Sequence, residues 1–125
     1  METFMMPIGG KSILRSTGEE VEIIDFEAKE SNSLTSFPLK NVSLHQVNHL
    51  KQIIAHGGIG FLIICFKKHN ETYILRLDSF LQYWDQKDTE RKSIPYEYIK
   101  KEGYLVPFSF KPRLDYLKVI DQYFI

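Results

Sequence analysis

The sequence predicts an α/β or α+β domain, a mixed β-sheet flanked by helices. Three observations point to it. Apolar runs of strand length, rich in Ile, Val and Phe, stand at residues 21–26, 59–66 and 72–77. Helical periodicity with its own start and stop signals separates and follows them, over 43–55 and after Pro112. The 125 residues make one domain, 1–125, long enough to bury a core.

Residues 11–15 read as a strand, and the turn at 16–19 leads it as a hairpin into a second strand over 22–30. The polar segment 31–41, with Pro38, reads as a loop. Ser43 suits an N-cap. Behind it Leu44, Val47, Leu50 and Ile54 make the apolar stripe of a helix that runs to Ala55 and ends at Gly57-Gly58. A buried strand over 59–68, a turn at 69–71 and a returning strand over 72–77 follow. Asp78 is placed to cap a short helix through Tyr83 and Trp84, and 85–92 is a charged loop. Pro95 fits the first turn of a helix that stops by Gly103. Residues 104–110, interrupted by Pro107, suggest an edge strand or an irregular stretch. Leu114, Leu117, Ile120 and Phe124 then form the stripe of a last helix. Phe61, Phe66, Phe80 and Trp84 are candidate core; Tyr96, Tyr98, Tyr104 and Tyr123 are candidates for a partly exposed contact surface.

Bulk properties narrow the class. No apolar run reaches the length of a membrane span, and no basic segment followed by an apolar one marks a signal peptide. The single cysteine, Cys65, lies in an apolar run; it reads as a buried thiol, excludes an internal disulfide and fits a reducing cytoplasm. Sixteen basic residues balance sixteen acidic ones, which weighs mildly against a nucleic-acid binder. It does not exclude one, because bases gathered on one face make a local field whatever the total. Lys11, Arg15, Lys40, Lys87, Arg91, Lys92, Lys111 and Arg113 are available for such a face.

The chemistry-bearing segment is Phe26-Glu27-Ala28-Lys29-Glu30. Strand alternation puts Asp25, Glu27 and Lys29 on one face and Ile24, Phe26 and Ala28 on the other. A carboxylate with a nearby backbone carbonyl suits Mg²⁺, a hard ion, and a lysine beside it can orient water or offset developing charge. Taken alone, Glu-x-Lys is more often a cross-strand charge pair. Asp25 is a candidate second metal carboxylate, although strand neighbours two apart stand about 6–7 Å from each other. Glu19, Glu20 and Glu22 sit in or near the turn, a strand length from Glu27. His45 and His49 share a helix face, but Gln46 stands where a zinc-protease motif needs its glutamate, so that class is rejected. Lys40, Arg91, Lys92 and Arg113 are candidate phosphate contacts, with ordinary solvated charge, or for Arg113 a local ion pair with Asp115, as the alternative.

Several blocks in order resemble the RecU family of Holliday junction resolvases. They are residues 24–30 (IDFEAKE), Thr35-Ser36-Phe37-Pro38-Leu39, His45-Gln46, Gly57-Gly58-Ile59-Gly60-Phe61, Arg91-Lys92-Ser93-Ile94 and residues 112–121 (PRLDYLKVID). The resemblance runs from about residue 22 to 125. It implies a restriction-endonuclease-like fold, a homodimer, a need for Mg²⁺ (or Mn²⁺) and cleavage of branched DNA, with Glu27 on the metal and Lys29 beside the nucleophile; the family's His-Gln makes Gln46 a candidate to face the catalytic strand and bind water or phosphate, with a structural role as the alternative. Two departures stand out. Only about two dozen residues precede the motif, where the family has a longer N-terminal part with a projecting stalk. The family's metal-binding Asp on the preceding strand has no counterpart, because residues 3–18 contain neither Asp nor Glu and residues 7–11 occupy its place. Three readings follow: a Mg²⁺-dependent junction endonuclease, a nuclease-fold module that binds branched or duplex DNA or a protein without cutting, and a bare dimerisation domain.

Overall fold

The computed structural model describes residues 9–17, 20–88 and 92–107, with side chains from 23 onward. A β-hairpin opens the fold. β1 (Gly9–Thr17) runs antiparallel to β2 (Glu20–Ser31), with Thr17 opposite Glu20 at the turn end and Gly10 opposite Glu27 further along. β2 then leaves the hairpin to reach α1 (Leu44–Ala55) through β3 (Ser36–Pro38) and a 3₁₀ turn at Leu39–Asn41. The chain returns in β4 (Ile59–Phe66), parallel to β2. β5 (Glu71–Arg76) folds back antiparallel to β4, and β7 (Tyr104–Leu105) completes a five-stranded mixed sheet in the order β1-β2-β4-β5-β7. Between β5 and β7 come α2 (Leu77–Trp84), β6 (Ser93–Pro95) and α3 (Tyr96–Glu102).

Alternation along the strands explains the layers. In β4, Leu62, Ile64 and Phe66 face one way and Phe61 and Ile63 the other, and both sets are buried. The first set joins Val47 and Leu50 of α1, Phe80 and Trp84 of α2 and Ile99 of α3 in the larger core. The second joins Ile24, Phe26, Ala28, Ile74 and Val106, with Phe26 stacked on Phe61 at 5.6 Å. The continuous apolar run of β4 is what a strand covered on both faces requires.

Several expectations need correction. The stretch 31–41 is not only a loop: Ser36–Pro38 pairs antiparallel with Ser93–Pro95 as a separate two-stranded ribbon. In α1 only Val47 and Leu50 of the predicted stripe are buried, while Leu44 is 59% and Ile54 44% exposed. Asp78 lies inside the first turn of α2, whose N-cap position is Arg76; its carboxylate accepts from the Ser79 N–H at 2.8 Å. Cys65 is only partly buried, and Tyr96 is buried among the core aromatics. The predicted helix after Pro112, with Arg113 and Tyr123, lies outside the described residues, as does Arg91.

Candidate functional site

Asp25 and Glu27 lie on the sheet face that α1 covers, in the same row as Gly60 and Leu62 of β4. They are 2% and 7% exposed, so two neighbouring carboxylates are buried at one spot. Glycine at 60 makes the close cover possible: a Cβ there would stand 3.2 Å from the Ile54 side chain and 3.3 Å from the Leu50 carbonyl of α1. The helix ends where Gly57 adopts φ +89°, a conformation that costs glycine little.

The α1 face toward β2 is polar where it meets the carboxylates. Gln46 Nε2 donates to Glu27 Oε2 at 3.1 Å, and His49 Nε2 pairs with Asp25 Oδ2. Asp25 Oδ1 accepts from the Phe26 N–H at 2.8 Å. The match follows from geometry. Three residues of helix rise about 4.5 Å, against about 6–7 Å between strand residues two apart, a difference the side chains can span. A helix running against its strand can therefore set Gln46 on Glu27 and His49 on Asp25. Gln46 is itself fixed from below. Its Oε1 accepts from the Ser43 N–H at 2.9 Å, and the Ser43 hydroxyl accepts from the Gln46 N–H at 3.1 Å, a full capping box.

Burial pushes the Glu27 carboxyl above the usual carboxylate range, and the Asp25 charge adds to that; Lys29, His49 and His45 pull the other way. Lys29, half-buried, shares the face as predicted. On β1 the position opposite Glu27 is Gly10, so the preceding strand brings no carboxylate there. Glu20 and Glu22 pair with Thr17 and Arg15 near the turn; Glu22 stands five residues, roughly 16 Å, from Glu27. Among the described residues no group of three or more His, Cys, Asp and Glu side chains is arranged to hold a metal ion.

The structure thus brings together Asp25, Glu27, Lys29 and Gln46, and adds His49, whose pairing with Asp25 the sequence reading missed. Its spacing of three from Gln46 was the available signal. Lys40 and Lys92 come together elsewhere: the Leu39 N–H donates to the Lys92 carbonyl at 3.0 Å, and both lysines are exposed beside the start of α1. No helix among the described residues is long and apolar enough to cross a membrane.

Fold and site define an α+β domain built on a mixed sheet, with an acidic pair and a lysine on one strand gathered under a helix. The family described as "Recombination protein U" matches residues 20–122, and the chain belongs to the RecU family. It is 46% identical over 99 residues to the Holliday junction resolvase RecU of Geobacillus kaustophilus, covering 78% of this chain and 50% of that protein. The Bacillus cytotoxicus protein of the same name is 48% identical over 99 residues, with the same coverage. That of Oceanobacillus iheyensis is 46% identical over 100 residues, covering 79% of this chain and 51% of the relative. The chain therefore spans about half the length of the curated relatives it matches.

Proposed function

We propose that the chain is a divalent-cation-dependent, structure-selective DNA endonuclease that acts on branched DNA as a homodimer in the cytoplasm. The observation that carries the reading is the Gln46–Glu27 contact: the capping box that starts α1 aims an amide at a buried carboxylate on the Glu-x-Lys strand. Membership of a family whose relatives are named Holliday junction resolvases supports the substrate class.

The residues present suit Mg²⁺ or Mn²⁺. Glu27 is a buried carboxylate whose ionisation is disfavoured by burial and by Asp25, so a nearby cation relieves both. Glu27 would hold the ion with carbonyl and water oxygens, the ligands Mg²⁺ accepts readily. When bound, the ion polarises phosphate and lowers the pKa of its water. Lys29 offsets charge building on the phosphate, and Gln46 orients Glu27. Asp25, with both oxygens engaged by Phe26 N–H and His49, serves as a support under Glu27 and can turn to the ion only by releasing His49. Lys40, Lys92, Arg91 and Arg113 are assigned to phosphates, where they position DNA without reading sequence.

The test is cleavage of a labelled four-way junction and a matched linear duplex with Mg²⁺ or Mn²⁺, by wild type and Glu27→Ala. The reading expects metal-dependent cutting of the junction that Glu27→Ala abolishes. No cutting by concentrated, folded wild type overturns it and leaves a module that binds without cleaving, as Gly10 opposite Glu27 would favour.

A further inference from the structure

A second concave surface lies on the other flank of α1. It is a groove of about 570 Å³ between the start of α1 and the end of α2. Its floor is apolar: Leu39, Val42 and the Trp84 indole, with Leu44 on the lip. Leu44 is the most exposed large apolar side chain described, at 59%. Among the described residues, Lys40, Lys87 and Lys92 stand around this floor with one carboxylate, that of Asp88. The Lys87 ammonium sits 4.7 Å from the centre of the indole ring and 3.3 Å from Asp88, and Lys92 Nζ donates to the Lys87 carbonyl at 2.9 Å.

We propose that this groove takes one nucleotide of a DNA strand, its base against Leu44 beside the largely buried Trp84 and its phosphate among Lys40, Lys87 and Lys92. Among the described lining residues three lysines face one carboxylate, a balance that favours an anionic ligand. The apolar floor selects one with a flat, poorly hydrated body. A nucleotide has both parts joined at the right scale: a base to lie on the apolar lip at Leu44 and a phosphate for the lysines around it.

Position favours a strand over other anions. Leu44 and Gln46 are two residues apart on α1, about 200° around the helix, so the groove and Glu27 lie on opposite flanks of its first turns. A helix is about 10 Å across, a distance a few nucleotides of strand can span. A strand passing the start of α1 would run from the groove toward the Glu27 side of the helix. The proposal rests on the DNA-cleaving reading for the choice of a nucleic-acid ligand, and it assigns the groove an unpaired nucleotide near the cut, not the cut itself.

Trp84 is the single tryptophan of the chain, so its fluorescence reports the groove alone. The measurement is titration of the full chain in EDTA with a short oligothymidylate, and separately with an acidic peptide carrying leucines. Expected is saturable quenching by the oligonucleotide, abolished in Leu44→Glu and weakened about tenfold or more in Lys40→Ala/Lys92→Ala. The charge-matched control Lys68→Ala/Lys101→Ala should bind within about twofold of wild type. Four results overturn the proposal: an unchanged Trp84 signal while anisotropy shows the oligonucleotide bound, no binding at all, quenching by the peptide alone, or equal weakening in the control. Because no cleavage is needed, the two readings separate. Quenching without junction cutting removes the nuclease and keeps the groove; cutting without quenching does the reverse.

Discussion

Two carboxylates on the helix-covered side of the molecule, Glu27 under α1 and Glu71 beside α3, are held in opposite ways. Glu71 is half-buried and accepts hydroxyl hydrogen bonds from both Tyr73, at 3.1 Å, and Tyr96. The Tyr96 bond is the main reason its carboxyl falls below the usual range, with the Tyr73 hydroxyl, Lys100 and His69 assisting. His69 stacks on the Tyr96 ring at 3.9 Å, and its Nε2 contacts the Leu34 carbonyl at 2.6 Å. The effect is a clip that ties the β4–β5 turn to α3 and to the segment before β3. Glu27 is more deeply buried, receives one amide, and lies beside a second carboxylate, so its charge is disfavoured. A charge already satisfied by donors belongs to the scaffold; one kept costly is ready for a cation.

The comparison breaks first at Glu27. Glu27→Gln keeps the shape and an acceptor for Gln46, yet should lower junction cleavage by roughly 10²–10³-fold or more, measured at saturating DNA. Its folding stability should move the other way. A carboxyl raised in the folded state stabilises below its unfolded pKa, and that contribution is lost as pH rises through the folded pKa. Glu27→Gln should therefore melt higher than wild type at pH 7 and level with it near pH 3.5; a lower melting point at pH 7 would sink the idea that Glu27 is held at a cost.

Next in size is His49→Ala, which strips a partner from the 2%-exposed Asp25. A loss of about 1–3 kcal/mol in denaturant unfolding is expected. The double variant with Asp25→Asn should recover part of it, and strict additivity in that cycle would deny the contact.

Tyr96→Phe is the counterpart on the Glu71 side, with an expected loss of about 1 kcal/mol. Here the pH dependence reverses. A lowered carboxyl stabilises above its unfolded pKa and loses that contribution as pH falls through the folded one. The gap between wild type and Tyr96→Phe should be full at neutral pH and close in acid. Identical pH trends for this variant and Glu27→Gln would erase the contrast between the two sites.

The smallest effect is expected at Leu44. Leu44→Ser, at a 59%-exposed position, should change stability by less than about 0.5 kcal/mol, whereas Leu50→Ala, fully buried on the same helix, should cost about 2–5 kcal/mol. Comparable losses would place Leu44 in the core after all.

What could be read in advance follows the range of the forces involved. The hairpin, the β4 strand and the Ser43 cap with its glycine stop are local patterns, and they were legible. So was the shared face of Asp25, Glu27 and Lys29, which needs only strand alternation. The β3–β6 ribbon was not: three-residue strands show no period, and Ser36–Pro38 finds its partner only at Ser93–Pro95. The stripe on α1 misled because two of its four apolar residues lie at the flanks of a helix whose face toward β2 is occupied by Gln46 and His49. Asp78 resembled a cap, but the helix starts at Leu77 with Arg76 in the cap position, two residues earlier. The depth of burial of Glu27 depends on how closely α1 passes over Gly60, a tertiary distance that composition does not contain.

The amide of Gln46 has a direction. Its oxygen faces the Ser43 N–H and its nitrogen faces Glu27, so reversing it forfeits both bonds at once. Any positively charged guest at Glu27 repels that nitrogen and rewards the reversal, which strips the Ser43 proton of its acceptor. Occupancy of the acidic site would then be audible at the far end of one side chain, as faster solvent exchange of a single backbone proton.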